Sequence, residues 1–224
     1  MKPRISVVVT HWNHHKFLPE ALASLGNQTL RPFEVILIDD GSDRRPALPA
    51  GCENVTGIFA PHRGIGAALN TAIAVMRGDV CCWLPADDLW KPHKLERQAD
   101  FATAHPGCVL HSYCDVWQDD SFVCIGTVQD ATDEEFAAKI RCSSPYFANT
   151  FWIPKQILDR VGLFREDVHV SEDYQWVLRS VVYYNTKYRL QKESLTIKRR
   201  HANTTTARYA TDIPALVEAF NREL

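Results

Sequence analysis

Apolar positions along this chain follow two periods, and the alternation between them lays out the elements. Residues 5–10 and 33–38 are short, β-branched and almost continuously apolar, as strands buried on both faces are. Residues 80–84 read as another buried strand, and 55–60 are expected to form a third strand between them. Between these runs the spacing becomes helical. Leu18, Ala21, Leu22 and Leu25 stand at i, i+3, i+4 and i+7, and Ile65, Leu69, Ala72, Ile73 and Met76 share one face over about 64–76. Strand, helix, strand in this order predicts an open α/β sheet. Residues 44–51, with Pro46, Pro49 and Gly51, are expected to be a loop.

Beyond Pro92 a helix is expected to about residue 105, followed by a hairpin of strands 108–117 and 122–127 turning at Gln118-Asp119-Asp120. An acidic helix over 133–140 precedes an aromatic stretch that holds Tyr146, Phe147, Phe151 and Trp152. Pro154 should start a short helix that Gly162 ends. Ser171 reads as the N-cap of a helix whose first turn carries Glu172 and Asp173. Residues 188–200 alternate loosely as a strand, and Asp212 and Pro214 open a last helix with Ile213, Leu216, Val217, Phe220 and Leu224 in register.

Composition narrows the class. With 224 residues and 46% hydrophobic content, one domain with a full core is expected. Twenty-five basic against 27 acidic residues leave a net charge of −2, which argues against a nucleic-acid partner or a polybasic membrane patch. Met1-Lys2-Pro3-Arg4 runs into a strand without the features of a secretory signal, and no window approaches the roughly 18 apolar residues of a membrane span. The seven cysteines (Cys52, Cys81, Cys82, Cys108, Cys114, Cys124 and Cys142) are odd in number and lack C-x-x-C spacing. Three of them sit inside apolar runs and read as small core residues in a reducing, cytoplasmic compartment, with no structural zinc.

Candidate chemistry gathers where strands end. The run 80–84 leads into adjacent carboxylates, Asp87 and Asp88. Two like charges there are awkward unless a cation or hydroxyl-rich ligand lies between them. Mg²⁺ and Mn²⁺ prefer such oxygens and share their shell with phosphates, so the functional reading is a metal–diphosphate site; the plain reading is a helix cap. Polar residues also end two other strands, at Thr10-His11-Trp12-Asn13 and at Asp39-Asp40-Gly41-Ser42. Ligands of open α/β sheets bind beyond the carboxyl strand ends, and that edge is therefore expected to be the used one.

Other positions keep two readings. Asp173 serves a reaction or only charges a helix end, and His201, after two arginines, binds a ligand or lies on the surface. Trp90, Trp117, Phe151 and Trp152 form either a sugar-stacking wall or core. His14 and His15 are adjacent and cannot share a helix face, so no metal role is expected of them. The last helix packs on its own domain, pairs with a second subunit to form an oligomer, or touches a membrane peripherally.

Taken in order, residues 5–13, 35–42, 64–70, 83–90, 161–173 and 200–203 resemble the motifs of family 2 glycosyltransferases, over roughly 5–206. The resemblance implies a GT-A fold: α/β, a Rossmann-like open mixed sheet with helices on both faces, in a single domain spanning 1–224. About 1–90 would form the nucleotide-sugar-binding half, about 91–206 the acceptor-binding half and about 211–224 a C-terminal helix. It further implies an inverting, metal-dependent transferase of polysaccharide or glycoconjugate synthesis. Such an enzyme moves a sugar from a nucleotide-sugar donor, UDP-sugar favoured, to a saccharide or lipid-linked saccharide acceptor, with Mg²⁺ or Mn²⁺ as cofactor.

By position, Thr10 and Asp40 match the residues that hold base and ribose, and Asn13 is assigned to the same donor site. Arg63 falls near the family's basic contact to base or phosphate, and Asp87 matches the carboxylate facing the ribose. Asp88 matches the metal ligand of the D-x-D motif, Asp173 the general base of a Glu-Asp pair, and His201 a histidine closing over the metal–diphosphate. Three departures stand out: Pro85 in place of a first Asp, Phe164-Arg165-Glu166 in place of Phe-Asp-Glu, and Pro46 and Pro49 where a helix is expected.

The chemistry suits these groups. A metal-neutralised diphosphate leaves without a protein acid, and one carboxylate suffices to take the acceptor's proton. A glycoside hydrolase would need a raised-pKa acid, a role that Asp87 and Asp88 fit poorly. A nucleotidyltransferase would want a glycine- and lysine-rich phosphate loop, which His11-Trp12-Asn13 is not. Asp88, Asp173 and His201 together argue against a non-catalytic binding module.

Overall fold

The alternation in the first strand decides the layering. Strand β1 (Ile5–His11) is buried along its whole length, and Val7 and Val9 face one core while Val8 faces another. The computed structural model describes residues 3–48 and 55–223; Pro49, Gly51, Cys52 and Leu224 lie outside the described residues. β1 pairs in parallel with β2 (Glu34–Asp40) and with β4 (Val80–Pro85), and β2 pairs in parallel with β3 (Val55–Ala60). Helices α1 (Leu18–Gly26) and α3 (Lys94–Ala104) cover the Val7 face through Leu18, Ala21, Leu22, Leu25, Leu95 and Ala99. Helix α2 (Ile65–Val75) covers the Val8 face with Ala68, Leu69 and Ala72.

Among the described residues nine strands form one mixed sheet in the order β3-β2-β1-β4-β8-β6-β9-β5, with β7 on β6. Its second part comprises β5 (Leu89–Trp90), β6 (Val109–Gln118), β7 (Ser121–Gly126), β8 (Trp152–Pro154) and β9 (Tyr188–Arg200). β6 and β9 run parallel, whereas β8 is antiparallel to β4 and β6, and β5 is antiparallel to β9. Helices α4 (Asp133–Lys139), α5 (Lys155–Val161) and α6 (Glu172–Val182) add Phe136, Ile157, Val161, Trp176 and Val177 to the Val8-side core. The result is a single α/β unit with helices on both faces.

Several expectations resolve here. Trp90, Phe151 and Trp152 are core residues and Trp117 is half-buried, so these rings build no open stacking wall. After the four-residue helix α7 (Thr205–Arg208), the last helix, α8 (Ile213–Arg222), buries Phe220 and packs Leu216 and Val217 on its own domain. Among the described residues no helix is long and apolar enough to cross a membrane. The described cysteines are free: Cys81, Cys82 and Cys114 are buried as small core residues, whereas Cys108 is half-buried and Cys124 and Cys142 are exposed. Strand β8 and helix α7 were not expected. Each is too short to display a period of its own.

Helix α2 also ties down the loop ahead of α6. Asn70 donates through Nδ2 to the carbonyl of Phe164 at 2.9 Å and to Glu166 at 2.9 Å, and its Oδ1 accepts the Phe164 N–H at 2.9 Å. At Gly66 a Cβ would stand 2.1 Å from the Arg165 carbonyl oxygen. Intrinsic helix propensity favours alanine there by about 1 kcal/mol, so the sign of the change isolates the packing. Gly66→Ala is expected to lose about 1–3 kcal/mol of stability in urea unfolding; a gain would show that the two backbones are not in contact.

Candidate active site

The carboxyl ends of β1, β2 and β4 open on a cleft of about 670 Å³, whose far wall is the start of α6 and whose rim includes residues 203–206, Arg208 and Tyr209. Of the residues singled out from sequence, Thr10, Asp40, Arg63, Asp87, Asp88 and Asp173 all line it. Thr10 Oγ1 accepts the Trp83 indole N–H at 2.9 Å, which fixes the floor. Asp40 accepts the backbone N–H groups of Arg63 (2.8 Å) and Gly64 (2.9 Å), and so pins the entry to α2. Gly41 at φ 69° lies so close beneath this loop that a Cβ would meet the His62 nitrogen at 2.4 Å. His62 stacks on Trp12 at 4.2 Å, while the Arg63 guanidinium pairs with Glu166.

Two assigned residues stand off the cleft wall. Asn13, at φ 57°, donates its N–H to Ser42 Oγ (2.9 Å) and accepts the Asp43 N–H (2.8 Å). It therefore buttresses the loops after β1 and β2. His201 lies behind Asp87, its Nε2 3.1 Å from Asp87 Oδ2 and its ring stacked 4.6 Å from Phe17.

The adjacent carboxylates do different things. A turn closed by the Asp88 N–H donating to the Pro85 carbonyl (3.0 Å) sends them apart. Asp88 is buried; its Oδ2 accepts Asn149 Nδ2 at 2.8 Å and its Oδ1 accepts the Arg199 N–H at 2.9 Å. Burial and the neighbouring Asp87 push its pKa up to about 7. Asp87 instead faces two imidazoles: besides His201, His14 Nδ1 is 3.8 Å from Asp87 Oδ1. Burial acts to raise the Asp87 pKa, but the hydrogen bond to His201 and the field of His14 outweigh it and hold the carboxyl below its ordinary value.

His14, Asp87 and His201 present ligand atoms within 4.8 Å of one another. The set joins His14 to His201 and not to its neighbour His15. The two adjacent histidines lie in the turn before α1 and separate, His14 towards Asp87 and His15 Nε2 to Asp43 at 2.7 Å. Two imidazole nitrogens and one carboxylate oxygen fit a divalent first-row ion such as Mn²⁺; Mg²⁺ prefers an all-oxygen shell.

Residues from distant segments hold this arrangement. Arg199 donates through Nε to the Asp87 carbonyl (2.7 Å) and through Nη1 to Glu20 (2.5 Å), with its guanidinium 4.8 Å from the Phe17 ring centroid. Asn149 is set by a relay from α3. The buried Lys94 donates to Gln98 (2.6 Å), and Gln98 donates to the Thr150 carbonyl (2.8 Å). Sequence reasoning missed His14, Asn149, Lys198 and Arg199. Only Arg199, two residues before His201, carried a local hint.

At the far wall the expected cap is replaced. Ser171 sits at φ 65°, ψ 22° and its side chain caps nothing, because an N-cap needs extended backbone. The same left-handed turn starts α6 with Glu172 and Asp173 at the cleft. Burial, then the charge of Asp173, raise the Glu172 pKa to about 8. Burial also raises that of Asp173, against which the Tyr174 N–H and the charge of Lys198 favour its ionised form.

A carboxyl whose folded pKa is raised stabilises the fold below its unfolded pKa, and that contribution is lost as pH rises through the folded value. Stability of the metal-free protein is therefore expected to fall between about pH 5 and pH 8, at up to about 1.4 kcal/mol per pH unit from Glu172. Glu172→Gln should flatten the decline in thermal melts; an unchanged slope would place the titration elsewhere.

Comparison with known proteins follows the same outline. Residues 6–182 match the sequence model of the family described as Glycosyl transferase family 2. An uncharacterized glycosyltransferase of Rickettsia prowazekii is 27% identical over 181 residues, covering 77% of this chain and 57% of its own length. One of Nostoc sp. is 34% identical over 115 residues, covering 48% of this chain and 36% of its own. The chain thus spans between about a third and somewhat more than half of these relatives. Among solved structures, Staphylococcus aureus TarS 1-349 in complex with UDP-GlcNAc superposes with a TM-score of 0.73 at 20% identity, over 91% of this chain and 60% of that one. At that identity the likeness is one of fold.

Proposed function

The chain belongs to glycosyl transferase family 2 and has the GT-A fold, and from that premise we propose that it is an inverting transferase moving a sugar from a nucleotide-sugar onto an acceptor hydroxyl. One observation carries the reading: a single cleft at the carboxyl strand ends is lined by His14 and Asp87, with His201 behind Asp87, and also by the Glu172–Asp173 pair. UDP-sugar is the favoured donor, supported by the fold shared with TarS bound to UDP-GlcNAc. The acceptor is proposed to be a saccharide, free or lipid-linked, in polysaccharide or glycoconjugate synthesis.

In this reading Asp173 accepts the proton of the acceptor hydroxyl as its oxygen bonds to the anomeric carbon. The bond from that carbon to the diphosphate oxygen breaks on the opposite side, and one displacement inverts the centre. Glu172, protonated at neutral pH, stays out of the proton transfer and keeps negative charge low beside the base. Asp87, His14 and His201 would hold a divalent ion, which when bound neutralises charge on the leaving diphosphate. Asp88 and Arg199 keep the Asp87 carboxylate aimed at the two imidazoles, since Asp88 anchors the turn to β9 and Arg199 grips the Asp87 carbonyl. Thr10, Asp40 and Arg63 shape the part of the cleft proposed for the nucleoside, and Asn13 stiffens it from outside.

A panel of UDP-, GDP- and dTDP-sugars, with and without Mn²⁺, tests the reading by thermal shift and donor hydrolysis. Metal-enhanced stabilisation by at least one donor is expected. No response to any of them would overturn the proposal.

A further inference from the structure

Several polar side chains that line the cleft are engaged inside the protein. Thr10 holds Trp83, Asp40 holds the entry to α2, and Asp88 spends its oxygens on Asn149 and on the Arg199 N–H. Two polar atoms on the stretch between α4 and β8 are not so engaged. Tyr146 and Asn149 line the cleft with 4% and 5% of their surfaces exposed, yet neither the Tyr146 hydroxyl nor Asn149 Oδ1 has a hydrogen-bond partner. His11 and Arg199 also keep one unpaired nitrogen each, but these side chains are already bonded to Asp39 and to Glu20. Native folds leave few buried polar atoms unpaired, because each gives up its bond to water without a replacement. Two of them on one stretch of cleft wall are a surface suited to a polar ligand.

Their chemistry restricts that ligand. Asn149 gives its Nδ2 to Asp88 Oδ2 at 2.8 Å, so its Oδ1 is held as an acceptor that only an O–H or N–H satisfies. The phenol both donates and accepts. Its ring packs 5.0 Å from that of Phe151, and it lies in the field of Asp173 and Glu172. Ser144 stands near enough to favour its ionised form but outside hydrogen-bond geometry. One group is thus bonded to Asp88, beside the proposed seat of the diphosphate, and the other is near the proposed base. An in-line displacement puts the sugar ring between the leaving oxygen and the base. We propose that Tyr146 and Asn149 read the hydroxyl or acylamino groups of the transferred sugar, and that the donor carries a free O–H or N–H where it faces Asn149. The inference rests on the function proposed above and adds the residues that select the sugar rather than the nucleotide.

Calorimetric titration of the full chain with UDP, UDP-glucose, UDP-GlcNAc, GDP and GDP-mannose in Mn²⁺ tests it, alongside thermal melts of the ligand-free protein. Tyr146→Phe removes the hydroxyl and keeps the packed ring, while Asn149 is left intact because its Nδ2 supports Asp88. The variant is expected to melt at or above the wild-type temperature, since an unpaired buried hydroxyl does not stabilise the fold. It should bind the free nucleotide within about twofold of wild type, and the tightest of the three sugar nucleotides at least about fivefold more weakly. Analogues of that donor with fluorine, which cannot donate, in place of each O–H or acylamino group in turn probe Asn149. Wild type should bind at least one of them about fivefold more weakly. A lower melting temperature of Tyr146→Phe would show the phenol bonded within the protein. Sugar-nucleotide affinity unchanged, or weakened no more than that of the free nucleotide, would show that it does not touch the sugar. Either result, or equal binding of all the fluorinated analogues, would overturn this inference alone. A wild type that binds none of the three sugar nucleotides would overturn the functional reading and this inference with it.

Discussion

Asp173→Asn is expected to lower the rate of sugar transfer by about 10³-fold, close to 4 kcal/mol in the barrier, while UDP affinity stays within twofold of wild type. The amide keeps the shape of the carboxylate but cannot take a proton at neutral pH. Its neighbour Glu172 is a poor substitute: the variant removes the charge of Asp173 from its surroundings, but burial, the first cause of its raised pKa, remains. Lys198, whose charge bears on Asp173, favours the ionised form that a base requires. Single-turnover transfer and nucleotide titration on the same preparation separate the two effects. Transfer close to the wild-type rate would remove Asp173 from the proton path and with it the proposed roles at the far wall.

The second large effect is expected at Asp87. Asp87→Asn removes the charge that stands between His14 and His201 and should abolish Mn²⁺ binding, read directly by electron paramagnetic resonance, together with any Mn²⁺-enhanced affinity for UDP. Asp88→Asn should weaken Mn²⁺ less, because Asp88 spends its oxygens on Asn149 and on the Arg199 N–H. The sequence resemblance places the metal on Asp88, so the pair of variants discriminates. Loss of Mn²⁺ in Asp88→Asn with retention in Asp87→Asn would restore the assignment made from sequence and overturn the one made from geometry.

The contrast between these neighbours shows where sequence reading stops. Strands β1, β2 and β4 were legible because burial on both faces demands continuous apolar runs. Helix α2 was legible from its 3.6-residue period, and β9 from its loose alternation. That Thr10, Asp40, Asp87 and Asp173 share a cleft followed from the motifs and from the rule that α/β sheets are used at their carboxyl ends. The role of Asn13 did not follow. Its side chain is turned to Asp43 by a positive φ that no local pattern announced.

Buried faces, the order of the elements and the edge at which chemistry gathers could all be read from the chain alone, because periodicity and strand-end polarity are local properties that each residue states directly. Which oxygen of which aspartate faces an imidazole is a property of the folded domain. His201 reaches Asp87 across 114 residues and Asn149 reaches Asp88 across 61, and β9 brings the Arg199 N–H onto Asp88 through its pairing with β5. Contacts of that span are set by sheet register and turn direction, and those depend on how the whole domain packs.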